Sequence, residues 1–166
     1  GEEVLVLGAI DFDDLMIEAE QLDFQNTLDV AKARDMVSKI DDRVFEILKT
    51  IMDACKIPIV IGGGHNNSYP CLKASAAAFA KNNEKPEGIN CLNLDAHADF
   101  RPIEGRHSGN GFRYAFEEGL LSKYYIISLH ENYNSENVLQ TLKSYPDRIA
   151  FSTFEDLALR EIRTFK

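Results

Sequence analysis

The sequence is poor in cysteine. Its 166 residues include only Cys55, Cys71 and Cys91, an odd number with no C-x-x-C pair. That argues against a disulfide framework and makes a reducing, cytoplasmic setting the expectation. Basic charge is scarce too: 18 Lys and Arg face 27 Asp and Glu, a net charge of −9. The chain therefore has no general electrostatic footprint for nucleic acid or an anionic membrane surface. No stretch reaches the ~18–20 apolar residues that a bilayer span requires. The opening Gly1-Glu2-Glu3 is unlike the basic-then-apolar start of a secretory signal. Internal repeats, low-complexity tracts and linkers are missing. Also missing are G-x-G-x-x-G, the Lys-Ser/Thr of a P-loop and the G-x-S-x-G elbow of serine hydrolases, so those nucleotide-binding and nucleophilic chemistries have no support.

What is present suits one globular domain over residues 1–166. Hydrophobic residues make up 45% of the chain, enough for a sizeable core. Apolar, β-rich runs at 4–10, 57–61, 89–94, 124–129 and 148–153 read as strands. Between them lie helical patterns. Val30, Ala33, Val37, Ile40, Val44, Ile47 and Ile51 recur in steps of three and four, the stripe of a long amphipathic helix. Further helices are expected over 68–81, 112–120 and 136–144, with a last one from Phe154. Residues 82–88 read as a polar turn and 95–110 as a polar loop. Such a β-α-β-α series predicts a mainly parallel sheet with helices on both faces, a three-layer α/β/α fold. Right-handed crossovers bring the strand C-termini to one edge, where ligands of open α/β sheets collect.

The chemically distinctive residues follow strands. Asp95-Ala96-His97-Ala98-Asp99 leaves the third expected strand. In extended backbone, alternate side chains share a face, roughly 6.6 Å apart, so the two acids and the imidazole are expected to enter one crevice. Carboxylate and imidazole together suit Mn²⁺, Zn²⁺ or Fe²⁺ rather than a thiolate site. The alternative is a strand end whose acids cap the next helix around a hydrogen-bonded His97. Three ligand-type residues in strict alternation favour metal. Gly62-Gly63-Gly64-His65 ends the second expected strand. Its glycines permit positive φ and close approach, turning His65 toward the same edge. The competing readings are a surface histidine after a glycine turn and a phosphate cradle. In the loop Arg101 to Asn110, Arg101, Arg106 and later Arg113 are candidates for a substrate carboxylate, or neutralise surrounding acids. His107 is a candidate proton shuttle near neutral pH, and His130, after the fourth strand, a weaker one.

These motifs resemble the ureohydrolases: arginase, agmatinase and formimidoylglutamase. Gly62 to His65 is similar to the family's first metal motif, and Asp95 to Asp99 to its second. The run His107-Ser108-Gly109-Asn110-Gly111-Phe112 resembles its substrate loop. The match covers most of this chain but only the N-terminal half to two-thirds of a usual member. The resemblance implies an arginase-like α/β/α fold and two Mn²⁺ ions, with a metal-bound hydroxide attacking an amidino or formimino carbon. Asp95 would bridge both ions, His65 and Asp99 would complete one site, and His97 the other. Ser108 and Asn110, with Arg101 and His130, would contact substrate, and His107 and Asp99 would serve catalysis. Homo-oligomers are common in the family, so self-association is a further expectation.

Two departures stand out. The family's third metal motif, a later strand ending in Asp-x-Asp, has no counterpart after Asp99. The sole other Asp-x-Asp is Asp11-Phe12-Asp13. The expectation is therefore a chain truncated at its C-terminus, since the sequence stops at Phe165-Lys166 inside a helical pattern. Ser108 also stands where arginases and agmatinases commonly place a histidine, which favours formimidoylglutamate as substrate over a guanidino compound. A non-catalytic α/β binding module and a nucleotide binder using the triple glycine are the competing functions.

Overall fold

A computed structural model describes residues 4–81 and 88–158. The helices are α1 (Asp13–Ala19), α2 (Thr27–Asp53), α3 (Ser68–Lys81), α4 (Gly111–Glu117) and α5 (Glu136–Lys143). The strands are β1 (Ile89–Leu94), β2 (Leu121–Leu129) and β3 (Ile149–Thr153). Residues 154–158 begin one more helical turn. The fold is α/β with a parallel sheet, ordered β1-β2-β3.

Local chemistry explains most of these elements. Asn26 caps α2, its side chain accepting from the Leu28 N–H at 2.9 Å. Of the predicted stripe of α2, Val44 is buried against Ala74 of α3, with Ile40 and Ile51 at the margin, whereas Ile47 is exposed and Leu48, outside the stripe, takes the buried place. Ser135 caps α5 by accepting from the Val138 N–H. Gly88, at φ +81°, leads into β1. An added Cβ there would lie 2.9 Å from Gly119 O, Leu120 O and Ser122 N, so the close pass against the α4–β2 turn needs glycine.

The main core lies between the sheet and α3, α4 and α5. Tyr124, Ile126 and Ile149 of the sheet meet Leu72, Phe112, Phe116, Leu139 and Leu142. The opposite face of β1 is open among the described residues, with Leu92 and Leu94 exposed.

Two expected strands do not form. Residues 4–10 and 57–61 belong to no sheet, and most of their large apolar side chains lie in solvent: Val4 to Leu7 are 66–86% exposed and Ile61 95%, while Ile10 is half-buried against the α2–α3 cluster. An apolar run becomes a strand of a parallel sheet when it pairs along a ladder and is covered on both faces; among the described residues these runs pair with no strand. The expected turn at 82–88 lies, except for Gly88, outside the described residues.

Candidate metal centre

Three side chains from two separate segments converge beyond the C-terminal end of β1. Each of His65, Asp95 and Asp99 offers one ligand atom, all within 4.8 Å of one another. The His65 Nδ1 stands 2.6 Å from Asp99 Oδ2 and 3.1 Å from Asp95 Oδ2. His97 approaches the other oxygen of the same carboxylate, with Nδ1 3.5 Å from Asp95 Oδ1. Asp95 thus turns one oxygen toward each imidazole.

Local backbone creates this arrangement, and not by the alternation expected from the sequence. The strand stops at Leu94, and residues 95–97 bend. Asp99 adopts φ +44°, a left-handed conformation that Asp tolerates better than most residues but that still costs about 1–3 kcal/mol. The bend and the left-handed residue bring Asp95 and Asp99 onto His65. His97 is left more than half exposed, its ring stacked on Tyr133 at 5.6 Å. Ala98 packs in the core, and its carbonyl accepts from the Tyr124 hydroxyl at 2.8 Å.

None of the three glycines takes positive φ, and Gly63 has open space about it. His65–Asn67 forms a single 3₁₀ turn, with Gly64 in extended backbone before it. A Cβ on Gly62 or Gly64 would meet only the end of a flexible side chain, that of Asn67 or Asn66. His65 packs edge-on against Phe112 at 5.3 Å. Its pKa is raised, chiefly by the hydrogen bond to Asp99, with burial opposing and the charges of Asp99 and Asp95 reinforcing.

The loop that follows is braced from within. His107 Nδ1 accepts from the Gly109 N–H at 3.1 Å, and Nε2 lies 3.2 Å from Glu104 Oε1. A ring accepting at Nδ1 carries its proton at Nε2, so these contacts select one neutral tautomer. Burial lowers the His107 pKa, with Glu104 opposing. Ser108 is exposed. Asn110 is fully buried. Its oxygen accepts from Arg106 and the His107 N–H, and its amide donates to the Pro102 and Gly105 carbonyls. Arg101 is exposed and pairs with Glu104 at 3.3 Å.

Arg106, considered above for a substrate carboxylate, is instead spent inside the protein. It is 4% exposed and binds Asp41 of α2 at 2.7 Å, the Asn66 and His107 carbonyls, and Asn110. Its guanidinium also lies over the rings of Tyr69 and Tyr114. It thereby ties the His65 turn, the loop and α2 together. Arg113 is likewise engaged, with Glu117 and over Phe100.

His130 stands apart from the three-residue cluster. Its ring lies between Tyr133 at 5.1 Å and Phe154 at 4.6 Å. Asp11 uses its carboxylate locally, accepting from the Asp13 N–H at the start of α1. Sequence reasoning missed Tyr133 and Asn134. Their one sequence signal is that they follow a strand beside the one carrying the acids.

Known proteins resemble this chain in sequence and fold. A family profile described as the arginase family matches residues 4–163. The formimidoylglutamase of Macrococcus caseolyticus (strain JCSC5402) is 28% identical over 131 residues, 79% of this chain and 40% of that protein. One from Streptococcus pyogenes serotype M3 (strain ATCC BAA-595 / MGAS315) is 28% identical over 105 residues, 60% of this chain and 31% of that protein. Among solved structures, a Trypanosoma cruzi formiminoglutamase with Mn²⁺ superposes with a TM-score of 0.64 at 23% identity. The superposition covers 75% of this chain and 41% of that one, and speaks for the fold. The chain spans about two-fifths or less of the length of these relatives. A profile match over nearly every residue, on an α/β fold with a parallel sheet, establishes that this chain belongs to the arginase family.

Proposed function

We propose that this chain carries the metal-binding part of a formimidoylglutamase-like hydrolase. The observation supporting it most directly is the meeting of His65, Asp95 and Asp99, with Asp95 presenting its second oxygen to His97. One imidazole nitrogen and carboxylate oxygens form a hard-to-borderline donor set, which fits Mn²⁺. In this reading His65 and Asp99 hold one ion, His97 the other, and Asp95 touches both. Bound there, paired Mn²⁺ would polarise the substrate and lower the pKa of water. His107, kept neutral by burial, would move a proton at Nε2 with Glu104 beside it. Exposed Arg101 and Ser108 would meet the substrate at the mouth of the site, and buried Asn110 would hold the loop's shape. His130 would act from the next strand end. The family's third metal motif, Asp-x-Asp, would have to come from outside residues 1–166.

Formimidoylglutamate is the substrate proposed. It is supported by the named relatives at 28% identity and by Ser108 in the loop. A cytoplasmic setting and self-association belong to the same proposal, the former supported by three free cysteines.

The test uses the full-length protein. Mn²⁺ content and formamide release from formimidoylglutamate are measured beside urea release from arginine and agmatine. The expected result is Mn²⁺-dependent formamide release, with both metal and activity falling at least about 10- to 100-fold in Asp95→Ala. Full activity in metal-free protein would overturn the hydrolase reading. Urea release in place of formamide would overturn the substrate.

A further inference from the structure

We propose that Asn134, with the Tyr133 ring, is a positioning residue for His97, fixing the angle at which that imidazole enters the second metal position. The inference rests on the metal reading above and adds residues that carry none of its ligands.

The side-chain amide of Asn134 spans His97 along the backbone. Its Oδ1 accepts from the Ala98 N–H at 2.9 Å, and its Nδ2 donates to the Ala96 carbonyl at 3.0 Å. One residue on each side of His97 is thereby tied to a single planar group. The second Nδ2 hydrogen goes to the His130 carbonyl at 2.7 Å, which ties the amide to its own turn. The His130 N–H also donates to the Ala96 carbonyl, at 3.0 Å. Tyr133 then lies nearly parallel to the His97 ring, 22° from coplanar, and limits its rotation. His97 closes the arrangement through its own N–H, which donates to Asp95 Oδ1 at 2.9 Å.

The placement of this brace has a backbone cause. Ser128 takes φ +70° where the β2–β3 register shifts between Ile127 and Leu129. Such an irregularity redirects a strand end. Here the chain emerges at His130, beside the carbonyl of Ala96, and the 3₁₀ turn Glu131–Tyr133 presents Asn134 next to the bend that carries the ligands. The bend at 95–97 has no sheet partner of its own beyond Asp95, so its shape depends on these bonds. Side chains that orient ligands typically change metal affinity by about 10- to 100-fold when removed.

The experiment follows Mn²⁺ binding to the full-length protein by titration calorimetry and by electron paramagnetic resonance, with circular dichroism as the check on folding. Asn134→Asp keeps the shape and the acceptor but loses both donors. It is expected to weaken the ion that needs His97 by about 10-fold or more while the other ion binds as before. The spectrum should change from that of a coupled pair to that of an isolated ion. Tyr133→Ala should act in the same direction, and Tyr133→Phe, which keeps the ring, should bind both ions normally. Unchanged binding of both ions in Asn134→Asp and Tyr133→Ala would overturn the proposal, as would equal weakening of both ions. His97→Ala separates the two levels of argument. If the unaltered protein binds Mn²⁺ and His97→Ala loses one ion while Asn134→Asp loses none, the positioning role fails alone. If the unaltered protein binds no Mn²⁺, the metal reading fails and takes this one with it.

Discussion

Arg106 is the residue on which the loop beside the candidate centre depends. Its side chain and that of Asp41 are both only 4% exposed, and they meet at 2.7 Å. Burial pushes the Asp41 carboxyl above its ordinary range while Arg106 pulls it down, so removal of the guanidinium would strand a buried acid. Arg106→Ala is expected to cost roughly 3–5 kcal/mol, because an uncompensated buried charge remains. Chemical denaturation of the full-length protein checks this. Adding Asp41→Leu to Arg106→Met should recover much of the loss, since the stranded charge is then gone. A second prediction concerns His107. Burial favours its neutral form, and protonation at Nδ1 would break the bond from the Gly109 N–H. The folded chain therefore binds a proton there less readily than the unfolded chain. The stability linked to His107 is fully present above its ordinary value of 6.5 and declines as pH falls from there through its lowered folded value. Proton NMR should place the His107 midpoint below 6.5, and a midpoint above it would contradict the burial argument.

Most elements could be read from the sequence because short-range physics decides them. The α2 stripe, the Ser68 start of α3 and strands β1, β2 and β3 follow from periodicity and β-branched runs. The members of the candidate centre were also visible, since strand C-termini share an edge. Their geometry was not. Alternation placed His97 beside Asp95 and Asp99, whereas a left-handed Asp99 and the Asn134 brace divide the motif into two sides. Neither depends on local sequence preference alone. Runs 4–10 and 57–61 show the other limit: a local pattern states a capacity for strand, while pairing depends on a neighbour. Gly88 gives a test at this scale. Its φ of +81° and the backbone atoms at 2.9 Å leave no room for a methyl group. Gly88→Ala is expected to cost about 1–3 kcal/mol or more, from left-handed strain plus displacement of the α4–β2 turn. A fall in the thermal midpoint of the full-length protein checks it.

The molecule as a whole is unevenly covered. One sheet face is packed by helices, while Leu92 and Leu94 on the other face, the 4–7 run and the 57–61 run leave large apolar side chains in solvent. Scattered exposed leucines are ordinary, but contiguous apolar patches beyond a few hundred Å² mark contact surfaces. An unpaired, apolar strand edge also invites pairing with another chain. The relatives are more than twice as long as the matched region, which fits a surface that further polypeptide would cover. The 166-residue chain prepared alone is therefore expected to self-associate and to bind a dye specific for exposed apolar surface, despite its net charge of −9. A longer chain that carried the rest of the family's domain would be expected to bind little dye. Static light scattering after size-exclusion chromatography decides the matter. A monodisperse 18.7 kDa species that ignores the dye would mean the apolar runs find cover within the chain. Replacing Ile59 and Ile61 with lysine should reduce association if the 57–61 run drives it, because charged side chains break up an exposed apolar patch.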